Sequence, residues 1–492
     1  MSEIRGRLIK GSIWIGASRA LVNALAALST IVLARLLMPE DFGLVALATT
    51  MLMIVNAATE LSLASALVQH ASPSRSHIDT AWTLSALRSL AIGGVFAAAG
   101  GPAADIYGDP RLAAVMVVLG IGIGLTGLTN PKVALLQRDL IFWQDFALSV
   151  AQKLVGVLAS ITWAMAYKSY WALVVGTIAM QVTSLVLSYL FVPYRPRISF
   201  SGGKELFRFS GWLTAGQIVN TLNWRFDFLL VGKGLGTSAL GHYSVGNNLA
   251  QLATREVTAP LTKVLFPGFS SIREDRSRLA TAYQRAQGLV TAFALPAGIG
   301  AALVADPLVR LTMGDKWAPA IFIVQALASI FAVQTLASLS QPIGMALGET
   351  RLLFIRSTQM LAIRVPLIVV GMLAGGLTGI VLARVVSGLI AIYFNLRLVR
   401  RFTGLGLLEQ LAANWRALVS SCAMVGIALL IDPYLTTGDA WSLAFKIATI
   451  GMASLATYLV TMILLWLASG KPSGPEREFQ ELLRKLLKRK AA

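Results

Sequence analysis

A chain of 492 residues that is 56% hydrophobic and 13% charged, with a mean hydropathy of +0.70, is not built like a soluble globular protein, in which about a quarter of the residues carry charge. Its one cysteine, Cys422, excludes an intrachain disulfide and a cysteine metal cluster, and the three histidines (His70, His77, His242) lack zinc-ligand spacing. The net charge of +19 would suit a nucleic-acid partner, but its distribution along the chain argues for a different origin.

The sequence divides into apolar runs, most of about 18 residues or more, each able to cross a hydrocarbon core of ~30 Å at ~1.5 Å per residue. The start, MSEIRGRLIKGSIW, is a basic flank running into a first helix, without the pattern of a cleavable signal peptide. Predicted spans in the first half are 11–36, 42–66, 80–101, 112–134, 146–167 and 169–193. The second half gives 207–232, 240–262, 281–305, 317–345, 350–373 and 377–396, and two more follow at 413–431 and 443–468. The fold class is therefore all-α: a polytopic membrane protein of about 14 transmembrane helices.

Two stretches repeat. IVLARLLMPEDFGLVALATT, starting at Ile31, and FLLVGKGLGTSALGHYSVGNN, starting at Phe228, align with a shift of 198 residues. The shift sets Arg35 on Lys233, Leu37 on Leu235 and Gly43 on Gly241. Each copy is an apolar helix end, a cation, a short turn and a second apolar helix. Duplicated halves of this kind are common in secondary transporters. The expected organisation is an N-terminal lobe at 1–198, a pseudo-symmetric C-terminal lobe at 199–400, two further helices at 401–469 and a tail at 470–492. In the tail Phe479, Leu482, Leu483, Leu486 and Leu487 share one helical face among Arg and Lys residues, the pattern of a basic amphipathic helix on anionic lipid.

With the N-terminus placed inside, the inner segments, counted with the span ends that open onto them (Lys132, Arg208, Arg285, Arg351, Arg356 and Arg416), hold 28 of the 42 Lys and Arg residues and the outer loops five: Arg111, Lys168, Lys233, Arg310 and Lys316. By the positive-inside rule both termini are cytoplasmic, and the +19 charge is mostly topology. Equal six-helix halves then start on the same side, so the repeats are parallel.

Apart from those span-end residues, nine cations lie inside the spans (Arg19, Arg35, Arg88, Lys153, Arg225, Arg255, Arg364, Arg384 and Lys446) against three acids, Glu60, Asp227 and Glu256. A charge at membrane depth costs about 2.5–3.5 kcal/mol on insertion scales, so the surplus needs water, a partner or an anionic ligand. Arg35, Arg384 and Lys446 lie near helix ends, where snorkelling or structural pairing explains them. Arg19, Arg225 and Arg255 sit deeper. A water-filled cationic cavity there would select anions, and the planar arginine fork suits phosphate. The candidate substrate contacts are Arg19, Arg35, Arg88, Arg225, Arg255 and Arg364, with Glu60, Asp227 and Glu256 as candidate carriers of a coupling proton or sodium ion. There is no GxxxxGK[ST] loop, GxSxG elbow or HExxH pair, and no loop large enough for a catalytic domain.

LARLLMPEDFGLVALA, ALVQHASPSRSHIDTAWTLS, FDFLLVGKGLGTSALGHYSV, APLTKVLFPGFSSIREDRSRLATAYQRA, MGDKWAPAI and PIGMALGETR follow one another in order. Together they resemble the Wzx-type polysaccharide flippases of the multidrug/oligosaccharidyl-lipid/polysaccharide exporter superfamily, in the branch of the colanic acid flippase. The resemblance covers about residues 5–400. It implies a two-lobed transporter of the bacterial inner membrane, working by alternating access on undecaprenyl-diphosphate-linked oligosaccharide. It also implies coupling to a proton or sodium ion, service to polysaccharide polymerase and export machinery, and sufficiency as a monomer. Of the candidates only those inside the matching motifs, such as Arg35 and Asp227, carry over from the family. A cation-coupled drug efflux carrier, a peptidoglycan-precursor flippase and a membrane polymerase or ligase stand as rivals. The first would want a cavity rich in acids, and the last long outer loops.

Overall fold

The computed structural model describes residues 2–59, 74–138, 142–201, 211–435 and 438–471, together with Leu67, Gly474 and Glu476. Candidate ion carrier Glu60 and nearly all of the amphipathic tail lie outside the described residues.

The described residues form helices joined by turns and irregular segments: α1 (Ser2–Leu36), α2 (Pro39–Thr59), α3 (Arg75–Ala98), α4 (Gly100–Tyr107), α5 (Arg111–Gly127), α6 (Val133–Arg138), α7 (Phe142–Tyr167) and α8 (Trp171–Phe191), then α9 (Gly211–Ser271), α10 (Arg276–Leu303), α11 (Ala305–Met313), α12 (Ala318–Gln334), α13 (Ser340–Ala346), α14 (Thr350–Thr403), α15 (Leu407–Ala412), α16 (Trp415–Ile431) and α17 (Ala440–Ala468). Ten helical stretches among the described residues are long and apolar enough to cross a membrane. This is a multi-pass membrane protein. Large apolar side chains such as Leu190, Leu373 and Leu430 lie open on its surface, which suits lipid rather than water.

Two of the helices are each two predicted spans run together. α9 breaks at Gly236, whose φ of +83° is left-handed and favours glycine. That break falls between the spans predicted at 207–232 and 240–262. α14 breaks at Gly375–Gly376, between the spans predicted at 350–373 and 377–396. The span predicted at 317–345 lies within one apolar stretch long enough to cross a membrane, Asp315–Ala346, and is interrupted within: it is α12, a 3-10 turn at Thr335–Ala337, and α13. Buried Gln287 holds that break, donating to the Thr335 carbonyl and accepting from the Leu339 amide. A side chain inserted into the helical ladder is a standard cause of such an interruption.

The chain forms two compact units, Met1–Gly241 and His242–Ala492. In the first, α3 and α5 pack so closely that a Cβ at Gly93 would stand 2.3 Å from the Gly120 carbonyl oxygen. In lipid, close packing of small residues replaces the hydrophobic drive between helices. In the second unit, Phe269, Tyr283, Val290, Leu339, Ile343, Val399 and Phe402 form a buried cluster. Glu476 reaches back to Arg416 in the first turn of α16 at 3.0 Å, and each side chain is only 9% exposed.

Candidate functional site

The turns of the repeated hairpins meet inside the first unit. In the first copy α1 ends at Leu36, and the turn is held by the Met38 amide donating to the buried Asp41 carboxylate at 2.9 Å. The second copy turns at Gly236, the position 198 residues after Met38. A Cβ on Gly43 would lie 1.7 Å from the Thr237 carbonyl oxygen, and one on Gly241 would lie 1.8 Å from that of Pro39. Thr237 and Gly241 are the residues that the 198-residue register sets on Pro39 and Gly43. The contact is thus reciprocal, glycine of each copy against the turn carbonyl of the other, as at an isologous two-fold interface.

A charged corner lies in the same unit. Arg111, at the start of α5, pairs with Asp109 at 2.9 Å, approaches Glu40 of α2 at 3.9 Å and sits 5.8 Å from the centre of the Tyr170 ring before α8. Hydrogen bonding from the Arg111 guanidinium holds the Asp109 carboxyl below the ordinary carboxylate range. Lys233, the repeat partner of Arg35, donates to the Ile106 carbonyl. In the sequence Arg111 and Lys233 stand out only as outer-loop cations. The acids beside Arg111, in PEDFG and in YGDPR, were the available signal.

The candidate substrate contacts separate by environment. Arg88 is committed to protein: it donates to the Asn56 carbonyl at 2.9 Å, the Asn56 side-chain oxygen at 2.5 Å and the Thr59 hydroxyl at 3.2 Å, tying α3 to the end of α2. Arg225 is half-buried, its guanidinium 5.0 Å from the centre of the Phe228 ring. Asp227, one turn along from Asn223, is 1% exposed. Arg19 is half-buried and Arg35 exposed. In the second unit Arg255 and Glu256 are exposed neighbours, and Arg364 is buried at 7%.

Two of the cations expected near helix ends have structural surroundings. Lys446 pairs with Asp432 at 2.8 Å, and Arg384 is buried with its guanidinium 6.0 Å from the centre of the Phe331 ring. Within the first unit Arg225 and Asp227 share one helix.

The family model described as "Polysaccharide biosynthesis protein" matches residues 32–322. The chain is 26% identical over 395 residues to the lipopolysaccharide biosynthesis protein WzxC of Escherichia coli, covering 77% of this chain and 78% of that one. It is 28% identical over 327 residues to the succinoglycan biosynthesis transport protein ExoT of Rhizobium meliloti, covering 66% of each. Among solved structures, the lipid II flippase MurJ in an inward closed conformation superposes with a TM-score of 0.70 at 14% identity, over 94% of this chain and 99% of that one. An inward-facing MATE-family multidrug transporter gives 0.62 at 14% identity, over 78% and 94%. These two likenesses show the fold, and the family match spans more than half of the sequence: the chain belongs to the polysaccharide biosynthesis protein family.

Proposed function

We propose that the chain is a transporter of the bacterial inner membrane that moves undecaprenyl-diphosphate-linked oligosaccharide repeat units from the cytoplasmic to the outer leaflet. It would supply exopolysaccharide or lipopolysaccharide assembly. The observation that carries the reading is the family match over 32–322 in a chain whose spans, inner ends apart, hold nine cations against three acids. One relative is named for succinoglycan biosynthesis transport and another for lipopolysaccharide biosynthesis, which supports the same substrate class. The excess of in-span cations weighs against cationic drugs as cargo.

In this reading both termini are cytoplasmic, and lobes at 1–198 and 199–400 alternate access to a cationic cavity. Arg19, Arg225, Arg255 and Arg364 face the diphosphate there, and Arg35 lies on its route. Arg88, with three protein acceptors, positions helices and touches substrate only if those bonds open. The reciprocal Gly43–Gly241 turn contact parts when access changes sides. A diphosphate moving outward travels toward the positive side and gains ~2.3 kcal/mol per charge per 100 mV. The membrane potential alone therefore favours export, and a coupling proton or sodium ion on Asp227, Glu256 or Glu60 adds to it. A monomer suffices, delivering product to the polymerase machinery.

The test is a strain lacking this gene, complemented with wild type or Arg225→Ala. Surface polysaccharide and lipid-linked repeat units trapped in the inner leaflet are both measured. Lost polymer with accumulated intermediate, rescued only by wild type, is the expected result. Normal polymer in the deletion strain would overturn the assignment.

A further inference from the structure

The second unit contains a cavity of about 620 Å³ that no transport step above uses. It is a consequence of how α14 folds back on itself. The two arms meet backbone to backbone below the break at Gly375–Gly376: a Cβ on Gly379 would lie 1.9 Å from the Gly371 carbonyl oxygen. With the arms so close, the two ends of the 54-residue element come alongside, about one membrane thickness from the tip at ~1.5 Å per residue. The first turns supply Arg351, Leu352 and Ile355, the last turn Arg401 and Phe402, and the preceding turn Leu347 and Glu349.

The lining has two characters. Arg351 and Arg401 are exposed, and among the described residues neither pairs with a carboxylate. Arg276 joins the same corner by donating to the Arg401 carbonyl at 3.1 Å. The N-terminus of α14 opens here with Glu349 as its flanking residue, yet the Glu349 side chain makes no cap bond to it. Unpaired guanidinium groups beside a helix N-terminus favour an oxyanion. Leu347, Leu352, Ile355 and Phe402 are apolar and supply a wall no hydrophilic anion would use. Glu349 opposes an anion, so the balance is two cations against one acid.

We propose that this cavity binds an anionic membrane phospholipid. The phosphate would lie between Arg351 and Arg401, and an acyl chain against Leu352, Ile355 and Phe402. The site is at a helix end, where headgroups lie, and basic pockets between membrane helices recognise lipid phosphate in this way. The proposal concerns the geometry of the second unit alone and does not depend on which cargo is transported.

The experiment uses the full-length chain purified in neutral detergent and stripped of lipid. Binding is followed by native mass spectrometry and by melting temperature on titration with phosphatidylglycerol, phosphatidylethanolamine or inorganic phosphate. We expect one retained phosphatidylglycerol and a raised melting temperature, neither reproduced by phosphatidylethanolamine or inorganic phosphate at the same concentration. Arg351→Gln with Arg401→Gln should weaken phosphatidylglycerol binding at least tenfold. Glu349→Gln should tighten it several-fold, a gain that a misfolded variant cannot imitate. Unchanged affinity in the double arginine variant, or weakened binding in Glu349→Gln, overturns the site. Equal stabilisation by inorganic phosphate overturns the lipid and leaves a simple anion.

Discussion

Gly43 and Gly241, 198 residues apart, occupy one another's mirror position: each lies against the carbonyl oxygen of the residue that opens the other's hairpin, Thr237 for Gly43 and Pro39 for Gly241. The backbones touch, so neither turn can retreat from a new side chain without disturbing the other. We therefore expect Gly43→Ala to cost about 1–3 kcal/mol, the usual range for overpacking. Gly94→Ala, on α3 with nothing within 4 Å of its Cβ position, should be neutral or stabilising by up to about 1 kcal/mol. Melting of both variants in the same detergent checks the contrast, and equal melting would remove the close contact from the account.

Arg88 is a candidate site residue that the structure ties to protein by several hydrogen bonds. Its three acceptors lie on α2, so its loss should loosen the α2–α3 packing whatever the substrate. Arg88→Met is expected to lower stability by about 1–3 kcal/mol, as for hydrogen bonds to a charged group. Asn56→Ala should lose part of the same energy. A double-mutant cycle should then give a coupling of at least about 0.5 kcal/mol. Additive losses would free Arg88 for a direct role in transport.

Lys446 and Asp432 make an asymmetric pair, the cation 9% exposed and the acid 51%. Removing the acid strands a buried charge, whereas removing the cation leaves a carboxylate that water can reach. Asp432→Ala should therefore destabilise by several-fold more than Lys446→Met in thermal melting. The reverse order would mean that Lys446 is charged for a reason other than this partner.

The architecture could be read from the sequence because lipid leaves a chain few options: long apolar runs must be helices, and the loops between them carry the topological charge. The 198-residue register could be read for the same reason, since Gly43 and Gly241 are fixed by a contact that tolerates nothing larger. Charge partners were harder. The partners of Arg88 cannot be read locally, because Asn56 and Thr59 are ordinary polar residues 32 and 29 positions away, and no local pattern announces that α2 and α3 align them. Arg416 and Glu476 are 60 positions apart, and the intervening GKPSGP reads as a flexible break, so their burial depends on tertiary contact alone. The short 3-10 turn at Thr335–Ala337 was hidden for a similar reason: its cause, Gln287, lies on another helix.

Asp109 gives the chain a pH dependence outside the membrane. Its carboxyl is held below the ordinary value by the Arg111 hydrogen bonds, so the ionised form is favoured by folding. The stabilisation is fully present above the unfolded-state pKa of about 3.9 and is lost as pH falls through the lower folded value. The pair is partly open to solvent, so its contribution should not exceed about 1 kcal/mol. Wild type should lose more stability than Asp109→Asn between pH 6 and pH 3, and parallel curves would show that the pair contributes nothing.

Asp227 tests the transport reading itself. It is almost fully buried in the middle of the first arm of α9, and Arg225 on the same helix turns its guanidinium to Phe228 at 5.0 Å. A carboxylate kept at membrane depth is expensive, and ion carriage is one reason to keep it. If Asp227 carries a coupling ion, Asp227→Asn should preserve folding while flattening the dependence of lipid-linked oligosaccharide transport on pH or sodium in reconstituted vesicles. An imposed membrane potential should still drive export in that variant, because the charge on the diphosphate is untouched. Should Asp227→Asn retain the wild-type ion dependence, coupling by this residue is ruled out, and its burial is then a matter of packing within α9 and its neighbours.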